Sequence, residues 1–164
     1  MAGMFSRDTT LPPHVLSLYE VGILFRERTF CDATYKFGGL AAAHRYLIIA
    51  ANATFIDEWS AHPEWGLCIW PTGQIFKVIG HERSGPHAQI TLLAIPEDAR
   101  VELTTPLLSD WELDLSRQAA RAFQAALKIP PLPEHSTQLW LSRLKCPVGV
   151  DGSGKFFECW RYSE

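Results

Sequence analysis

QIFKVIGHERSGPHAQITLLAI, residues 74–95, carries the strongest strand pattern in this chain of 164 residues. Both ends of the stretch are rich in β-branched and other apolar residues, and the glycine and proline of RSGPH between them are typical of a turn. The second half, AQITLLAI, is an almost continuous apolar run, as expected for a strand that is covered on both faces. The stretch therefore predicts two strands joined by a turn, the second of them central in a sheet.

Two further hairpins are predicted upstream of this stretch. GLCIW, residues 66–70, leads through Pro71, Thr72 and Gly73 into the strand that starts at residue 74, and this combination of proline and glycine favours a turn. RTFCDATYKF and AAAHRYLIIAA flank Gly38 and Gly39, which would supply the positive φ angles of a hairpin turn. The middle of the chain is thus predicted to be a meander, with RVELTT, residues 100–105, as one more strand.

The main helix is predicted at about 110–128. SDWE, residues 109–112, has the serine and glutamate of a capping box. The apolar residues that follow recur along one helical face, namely Leu115, Ala119, Ala122, Phe123 and Ala126. Pro130 ends the pattern. Short helices are predicted near 12–20, where two prolines suit a first turn, and near 54–61, where Thr54 suits an N-cap.

The C-terminal part of the chain is predicted to form a last hairpin. STQLWLSRLKC and GKFFECWRYS are its strands, and the glycine-containing loop VDGSG joins them. The fold class that follows is α+β, with a mostly antiparallel sheet of meander and hairpins packed by one main helix. The length of the chain predicts a single globular domain over residues 1–164.

Composition excludes several classes of protein. A hydrophobic fraction of 47% and a charged fraction of 20% are typical of a folded domain. A formal net charge of −3 at pH 7 disfavours nucleic-acid binding, which needs a basic field. The chain has neither a signal-peptide pattern nor an apolar run of membrane-spanning length, so a cytoplasmic protein with no membrane association is expected. Its four cysteines are widely spaced, which favours reduced, structural thiols.

DEWSAHPEWG, residues 57–66, is the first candidate for a functional segment. Asp57 and Glu58 suit the positive end of a short helix, on which Trp59 would point inward. Pro63 disfavours a helical conformation at His62, so the helix would end there. His62, Glu64 and Trp65 are then expected to form an exposed corner that a partner contacts, because tryptophan is favoured at protein interfaces.

GHERSGPHAQ, residues 80–89, is the second candidate. It places His81, Glu82, Arg83 and His87 around a predicted turn, and loops on a rigid scaffold often carry function. The histidines lack the spacing of a zinc motif, so no metal site is predicted. His44 lies in an apolar strand that we pair with Cys31 and Asp32, which leaves a cysteine–histidine nucleophile pair open.

The leading functional hypothesis is a protein-binding module of inhibitor, immunity or adaptor type that acts without catalysis and without a cofactor. No nucleotide-binding or hydrolase motif supports catalysis, and a protein partner is expected at the candidate recognition residues Trp59, His62, Glu64, Trp65, Trp111, His81 and Arg83. The alternative is a hydrolase or transferase with a histidine-centred site formed by His44, His81 or His87 with Glu82, Cys31 or Asp32. None of these patterns predicts the oligomeric state.

Overall fold

The computed structural model describes residues 2–98 and 105–160. Its strands are β1 (Gly3–Thr9), β2 (Leu24–Arg26), β3 (Cys31–Thr34), β4 (His44–Ala50), β5 (Thr54–Phe55), β6 (Leu67–Trp70), β7 (Ile75–Ser84), β8 (His87–Ile95) and β9 (Cys159–Trp160). Its helices are α1 (Pro13–Leu16), α2 (Asp110–Ala126) and α3 (Gln138–Arg143), with 3-10 turns at Asp57–Trp59, Pro63–Trp65 and Pro133–His135. In these two ranges no helix has the length and apolar character needed to span a membrane.

The nine strands form one sheet in the order β5-β6-β3-β1-β4-β8-β7-β2-β9. Among these strands, β4 and β8 pair in parallel, and the other neighbours are antiparallel. The predicted α+β class with a mostly antiparallel sheet and few helices is therefore confirmed. The parallel pair makes the sheet mixed, because a long crossover connects β4 to β8.

The hairpin of β7 and β8 confirms the prediction from residues 74–95. Its turn contains Gly85 with φ +56°, a backbone conformation that favours glycine. β8 lies between β4 and β7 and is buried on both faces: Ile90 and Leu92 face one core, and Leu93 and Ile95 face another. This double burial explains why its sequence is a continuous apolar run.

The sheet curls around its larger core. Trp70 on β6 and Phe76 on β7 are separated by four intervening strands, yet their ring centroids lie 6.3 Å apart. The curl places β1 and β3 opposite the chain segment that follows α3, which contributes Val148 and Val150 to the same core. It therefore builds a cavity between the sheet and this C-terminal segment.

Both upstream hairpins were predicted wrongly. β3 and β4 are not partners, because β1 lies between them and pairs with both. β6 pairs with β3 and β5, and not with β7. Gly38 and Gly39 are not turn glycines with positive φ; a Cβ on Gly39 would lie 2.0 Å from the carbonyl oxygen of Ile129, so a close backbone approach requires this glycine.

Two local predictions also differ from the structure. The helix near 54–61 is absent, because Thr54–Phe55 forms an edge strand and Asp57–Trp59 only a 3-10 turn. The first strand of the C-terminal hairpin is instead helix α3, whose Thr137 hydroxyl accepts a hydrogen bond from the Trp140 amide. The strand predicted at RVELTT lies outside the described residues, apart from its last position.

α2 confirms the predicted main helix and its capping box. The Ser109 hydroxyl accepts from the Glu112 amide, and the Glu112 carboxylate accepts from the Ser109 amide. The same carboxylate forms an ion pair with Lys77 of β7, in which both side chains are 0% exposed. α2 is thus attached to the sheet by a charge pair that is wholly removed from water.

Candidate active site

A cavity of about 400 Å³ lies between β1, β3 and the segment after α3. We call it the Arg7 cavity, and its polar and exposed lining consists of Arg7, Glu27, Thr29, Phe30, Asp32, Arg143 and Cys146. β1 and β3 contribute Arg7 and Asp32 from the sheet, whereas the last two residues come from the C-terminal part of the chain. Its volume falls in the range of small-molecule sites.

Arg7 is the most buried cation in this cavity, at 5% exposure. Its Nη1 donates to the carbonyl of Asp32 at 2.9 Å and pairs with the Asp32 carboxylate, and its Nη2 donates to the carbonyl of Cys146 at 2.7 Å. Burial alone would lower the pKa of Arg7, but the neighbouring Cys31 and Asp32 side chains raise it, so the guanidinium stays charged. Its Nε is buried with no hydrogen-bond partner among the described residues.

Asp32 bridges the two arginines of the cavity. Its Oδ1 contacts Arg7, and its Oδ2 accepts from Nη2 of Arg143 at 3.1 Å. Arg143 also lies over the ring of Trp65, 5.4 Å from the centroid. The aromatic face and the carboxylate fix the guanidinium of Arg143 beside that of Arg7.

Glu27 is the other carboxylate of the cavity and is 4% exposed. Its Oε1 accepts from the amide and the hydroxyl of Thr29 at 2.9 and 3.0 Å, and its Oε2 accepts from the amide of Gly149 at 2.6 Å. All three donors are neutral. These contacts therefore bring no cation to Glu27, whereas the Asp32 carboxylate contacts two guanidinium groups.

Cys31 lines the Arg7 cavity but is not disposed as a nucleophile. Burial raises the pKa of its thiol to about 12, so the thiol is protonated at neutral pH. Its predicted partner His44 stands on β4, with β1 between the two strands. The Nδ1 of His44 accepts a hydrogen bond from the Leu11 amide. The structure therefore does not bring the two residues together as neighbours on paired strands.

The three histidines of the alternative hypothesis lie near one end of the sheet. Burial, followed by the charges of Arg83, His87 and His81, lowers the pKa of His44. The Nδ1–H groups of His81 and His87 donate to the carbonyls of Tyr19 and Ala43. The cavity that His81 and Arg83 line contains neither of the other two histidines.

The acidic residues predicted to serve these histidines lie elsewhere. Glu82 faces a cavity along α2 with Arg121 and Lys128, because neighbouring residues of a strand point to opposite faces. Asp32 lies in the Arg7 cavity. In residues 2–98 and 105–160, no three His, Cys, Asp or Glu side chains are grouped to hold a metal ion.

The two tryptophans at the predicted recognition corner are inverted in the structure. Trp59, expected inside, is 86% exposed, and Trp65, expected outside, is 4% exposed and packs on Trp140 with ring centroids 5.2 Å apart. His62 stacks on Trp65 and pairs with Glu64. The reason is that 3-10 turns at Asp57–Trp59 and Pro63–Trp65 replace the predicted helix and corner, which reverses the two tryptophans, whereas the side chains of His62 and Glu64 are exposed as expected. Trp111, at the start of α2, is half-exposed.

We expect this inversion to appear in stability measurements. Trp65→Ala should destabilise the protein by about 3 kcal/mol, because it empties a buried aromatic cluster. Trp59→Ala is the matched control and should change the free energy of unfolding by less than about 0.5 kcal/mol. Urea denaturation of both variants measures the difference. A larger loss for Trp59→Ala than for Trp65→Ala would contradict this placement.

Sequence patterns did not identify Arg7, Glu27 or Arg143 as site residues. Arg7 and Asp8 stand side by side in a segment that becomes a strand next to the sheet centre, and Asp8 is held by buried Arg45. Charged residues in such a strand require partners, since unpaired buried charges are costly. The need for a partner is the one sequence signal that singles out Arg7, and it does not identify which residue that partner is.

Comparison of the fold with solved structures relates the chain to a group of bacterial proteins. The type III effector XopAI from Xanthomonas axonopodis pv. citri is 19% identical and matches with a TM-score of 0.52 over 58% of this chain and 42% of its own. The ADP-ribosyltransferase HopU1 of Pseudomonas syringae pv. Tomato DC3000 is 17% identical, with a TM-score of 0.51 over 58% of this chain and 45% of its own. The ADP-ribosyltransferase Vis from Vibrio splendidus is 14% identical, with a TM-score of 0.50 over 60% and 51%.

The chain thus spans about half the length of the structures it resembles. No protein-family model and no curated protein matches its sequence. The shared fold overturns the leading hypothesis of a non-catalytic inhibitor, immunity or adaptor module, because the fold is one found in ADP-ribosyltransferases. Of the two functional hypotheses from the sequence, the transferase alternative agrees better with this fold.

Proposed function

We propose that the chain is an ADP-ribosyltransferase whose active site is the Arg7 cavity. The observation that carries the proposal is the pairing, in one cavity, of two fixed guanidinium groups with the buried carboxylate of Glu27. The fold supports the same reaction class. We propose its residues in place of the histidine-centred site of the sequence-based alternative, because His81, Glu82 and Asp32 line three different cavities.

The two arginines suit the diphosphate of an ADP-ribosyl donor. A guanidinium presents several N–H donors in a plane and remains charged, so it is well matched to phosphate oxygens. Arg7 lines the cavity and has a buried Nε with no hydrogen-bond partner, and Arg143 stands on the other side of Asp32. A diphosphate placed here would contact the N–H donors of the two guanidinium groups that Asp32 does not use. The exposed ring of Phe30 at the cavity offers a surface on which a base of the donor can stack.

Glu27 suits the step in which the bond at the ribose C1′ of the donor breaks. In ADP-ribosyl transfer the bond from the ribose C1′ to its leaving group breaks with the electron pair leaving on that group, and positive charge develops on the ribose, as it does in glycoside hydrolysis. The acceptor nucleophile then bonds to C1′ and loses its proton to water or a base. A carboxylate whose own contacts are neutral stabilises the positively charged ribose by electrostatic attraction.

We propose a protein as the acceptor, in keeping with the protein partner expected from the sequence. Arg143 and Cys146 are exposed beside the cavity, so the acceptor nucleophile can approach from that side. Lys145 adds a further positive charge nearby. This arrangement favours an acceptor segment that carries acidic residues close to the modified side chain.

The proposal is tested by separating donor binding from donor cleavage. The purified chain should bind ADP-ribose in a calorimetric titration and release nicotinamide from NAD⁺. Glu27→Gln should retain ADP-ribose binding within about threefold of the native Kd but lower nicotinamide release by about 100-fold, because the carboxylate acts on the charge of the transition state. Equal release by the native chain and Glu27→Gln would refute the assignment, and so would the absence of ADP-ribose binding in both.

A further inference from the structure

The segment between α3 and Gly149 separates two cavities. This segment, residues 144–149, is called the strap here. On one side is the Arg7 cavity, and on the other is a larger cavity of about 740 Å³ lined by His14, Lys145 and Asp151. Pro147 of the strap lines both. The strap is therefore the wall between them, and the two cavities would join if it moved outward.

Backbone groups of the strap form hydrogen bonds with the side chains of Arg7 and Glu27 in the Arg7 cavity. The carbonyl of Cys146 accepts from Arg7, and the amide of Gly149 donates to Glu27. A carbonyl oxygen is a neutral acceptor, and a phosphate oxygen on the same guanidinium makes the stronger, charge-assisted bond. The Cys146 carbonyl thus stands where an anionic oxygen of a ligand would bind.

Other contacts hold the strap closed. The hydroxyl of Tyr19 donates to the carbonyl of Val148 at 2.7 Å, and the amide of Val148 donates to the hydroxyl of Tyr46 at 3.3 Å. The two hydroxyls lie 2.6 Å apart and are buried. Leu144 and Val148 are also buried, whereas Lys145 and Cys146 between them are exposed. Two apolar anchors and a pair of tyrosines therefore fix a segment whose middle faces solvent.

From these contacts we infer that the strap is an internal inhibitor of the proposed site, which holds Arg7 and Glu27 in a closed state of low affinity for phosphate-containing ligands. This inference rests on the proposed function, because it concerns the regulation of the same cavity. A ligand that binds only the open state must shift the protein into that state. Its measured Kd is therefore the intrinsic Kd divided by the fraction of molecules that are open. Loosening the strap raises the open fraction, so it should tighten ligand binding and accelerate hydrogen–deuterium exchange of the strap by the same factor.

Tyr19→Phe tests this inference without altering a residue of the proposed site. The variant removes the hydroxyl that holds the Val148 carbonyl and keeps the ring in the core. We expect hydrogen–deuterium exchange of residues 144–149 to become about tenfold faster and the Kd for ADP-ribose to fall about tenfold. Tyr35→Phe is the matched control, because its hydroxyl bonds Asp57 and touches no residue of the strap. It should change neither quantity.

Val148→Ala is the second strap variant, since it shortens a buried anchor, and it should act in the same direction as Tyr19→Phe. Faster exchange with an unchanged or weaker ADP-ribose Kd would overturn the inference, and so would unchanged exchange in both strap variants. Inorganic diphosphate separates this inference from the proposed function. Tighter diphosphate binding in the strap variants, with no ADP-ribose binding in any protein, would support the strap and refute the ADP-ribosyl site. Binding of neither ligand would refute both.

Discussion

Lys77→Met should destabilise the protein by about 3–5 kcal/mol, because it leaves the Glu112 carboxylate buried without its cation. Nζ of Lys77 contacts both oxygens of that carboxylate, at 2.9 and 3.0 Å, and also donates to the carbonyl of Leu107 at 2.8 Å. Methionine has nearly the shape of lysine and none of these donors, so the effect reports the lost charge rather than a cavity. The measurement is the free energy of unfolding from urea denaturation at neutral pH.

Arg117→Ala is the control for this variant. Arg117 pairs with Asp114 on the exposed face of α2, where the side chains are 65% and 67% exposed. Such pairs contribute little, so the loss should stay below about 0.5 kcal/mol. A Lys77→Met loss as small as that of Arg117→Ala would mean that α2 is not attached to the sheet through the buried pair.

Arg7→Lys should lower ADP-ribosyl transfer by about 100-fold or more. Lysine keeps the positive charge, but its single ammonium group cannot bond Asp32 and also present the planar pair of N–H donors that matches phosphate oxygens. Removing one well-placed donor from a charge-stabilising site commonly reduces the rate by a factor of about 100 to 1,000. Steady-state nicotinamide release, with ADP-ribose affinity measured alongside, reports the change.

Arg26→Lys is the matched exchange outside the cavity. Arg26 pairs with Glu158 and lies near the ring of Trp160 at the β2–β9 edge of the sheet. The Arg26→Lys variant should transfer ADP-ribose at a rate within about twofold of the native rate. If Arg7→Lys were as active as Arg26→Lys, Arg7 would not be a ligand-binding residue, and the proposed site would have to be abandoned.

Local signals in the sequence were sufficient for the parts of the fold that depend on neighbouring residues. The capping box at Ser109 and Glu112 located α2, and the glycine turn at Gly85 located the β7–β8 hairpin. Pairings between distant segments were missed, because alternation shows that a segment is a strand but not which strand it joins. β1 is the clearest case, since it enters the sheet between β3 and β4 from the start of the chain.

The candidate site was missed for the same reason. Arg7 and the carbonyl of Cys146 that it bonds are 139 positions apart, and Glu27 and the amide of Gly149 are 122 apart. Asp32 and Cys31 were named from the sequence, but as partners of a histidine that stands beyond β1. The curl of the sheet, and not any short motif, brings the residues of the Arg7 cavity together.

Transfer of labelled ADP-ribose from NAD⁺ to protein tests the central claim most directly. The native chain, Tyr19→Phe and Glu27→Gln would each be incubated with labelled NAD⁺ and a protein extract, and protein-bound label would be counted. We expect labelled protein with the native chain, more with Tyr19→Phe and at least about 100-fold less with Glu27→Gln. Equal amounts of label with all three proteins would contradict the central claim. The absence of label with both the native chain and Tyr19→Phe would also contradict it.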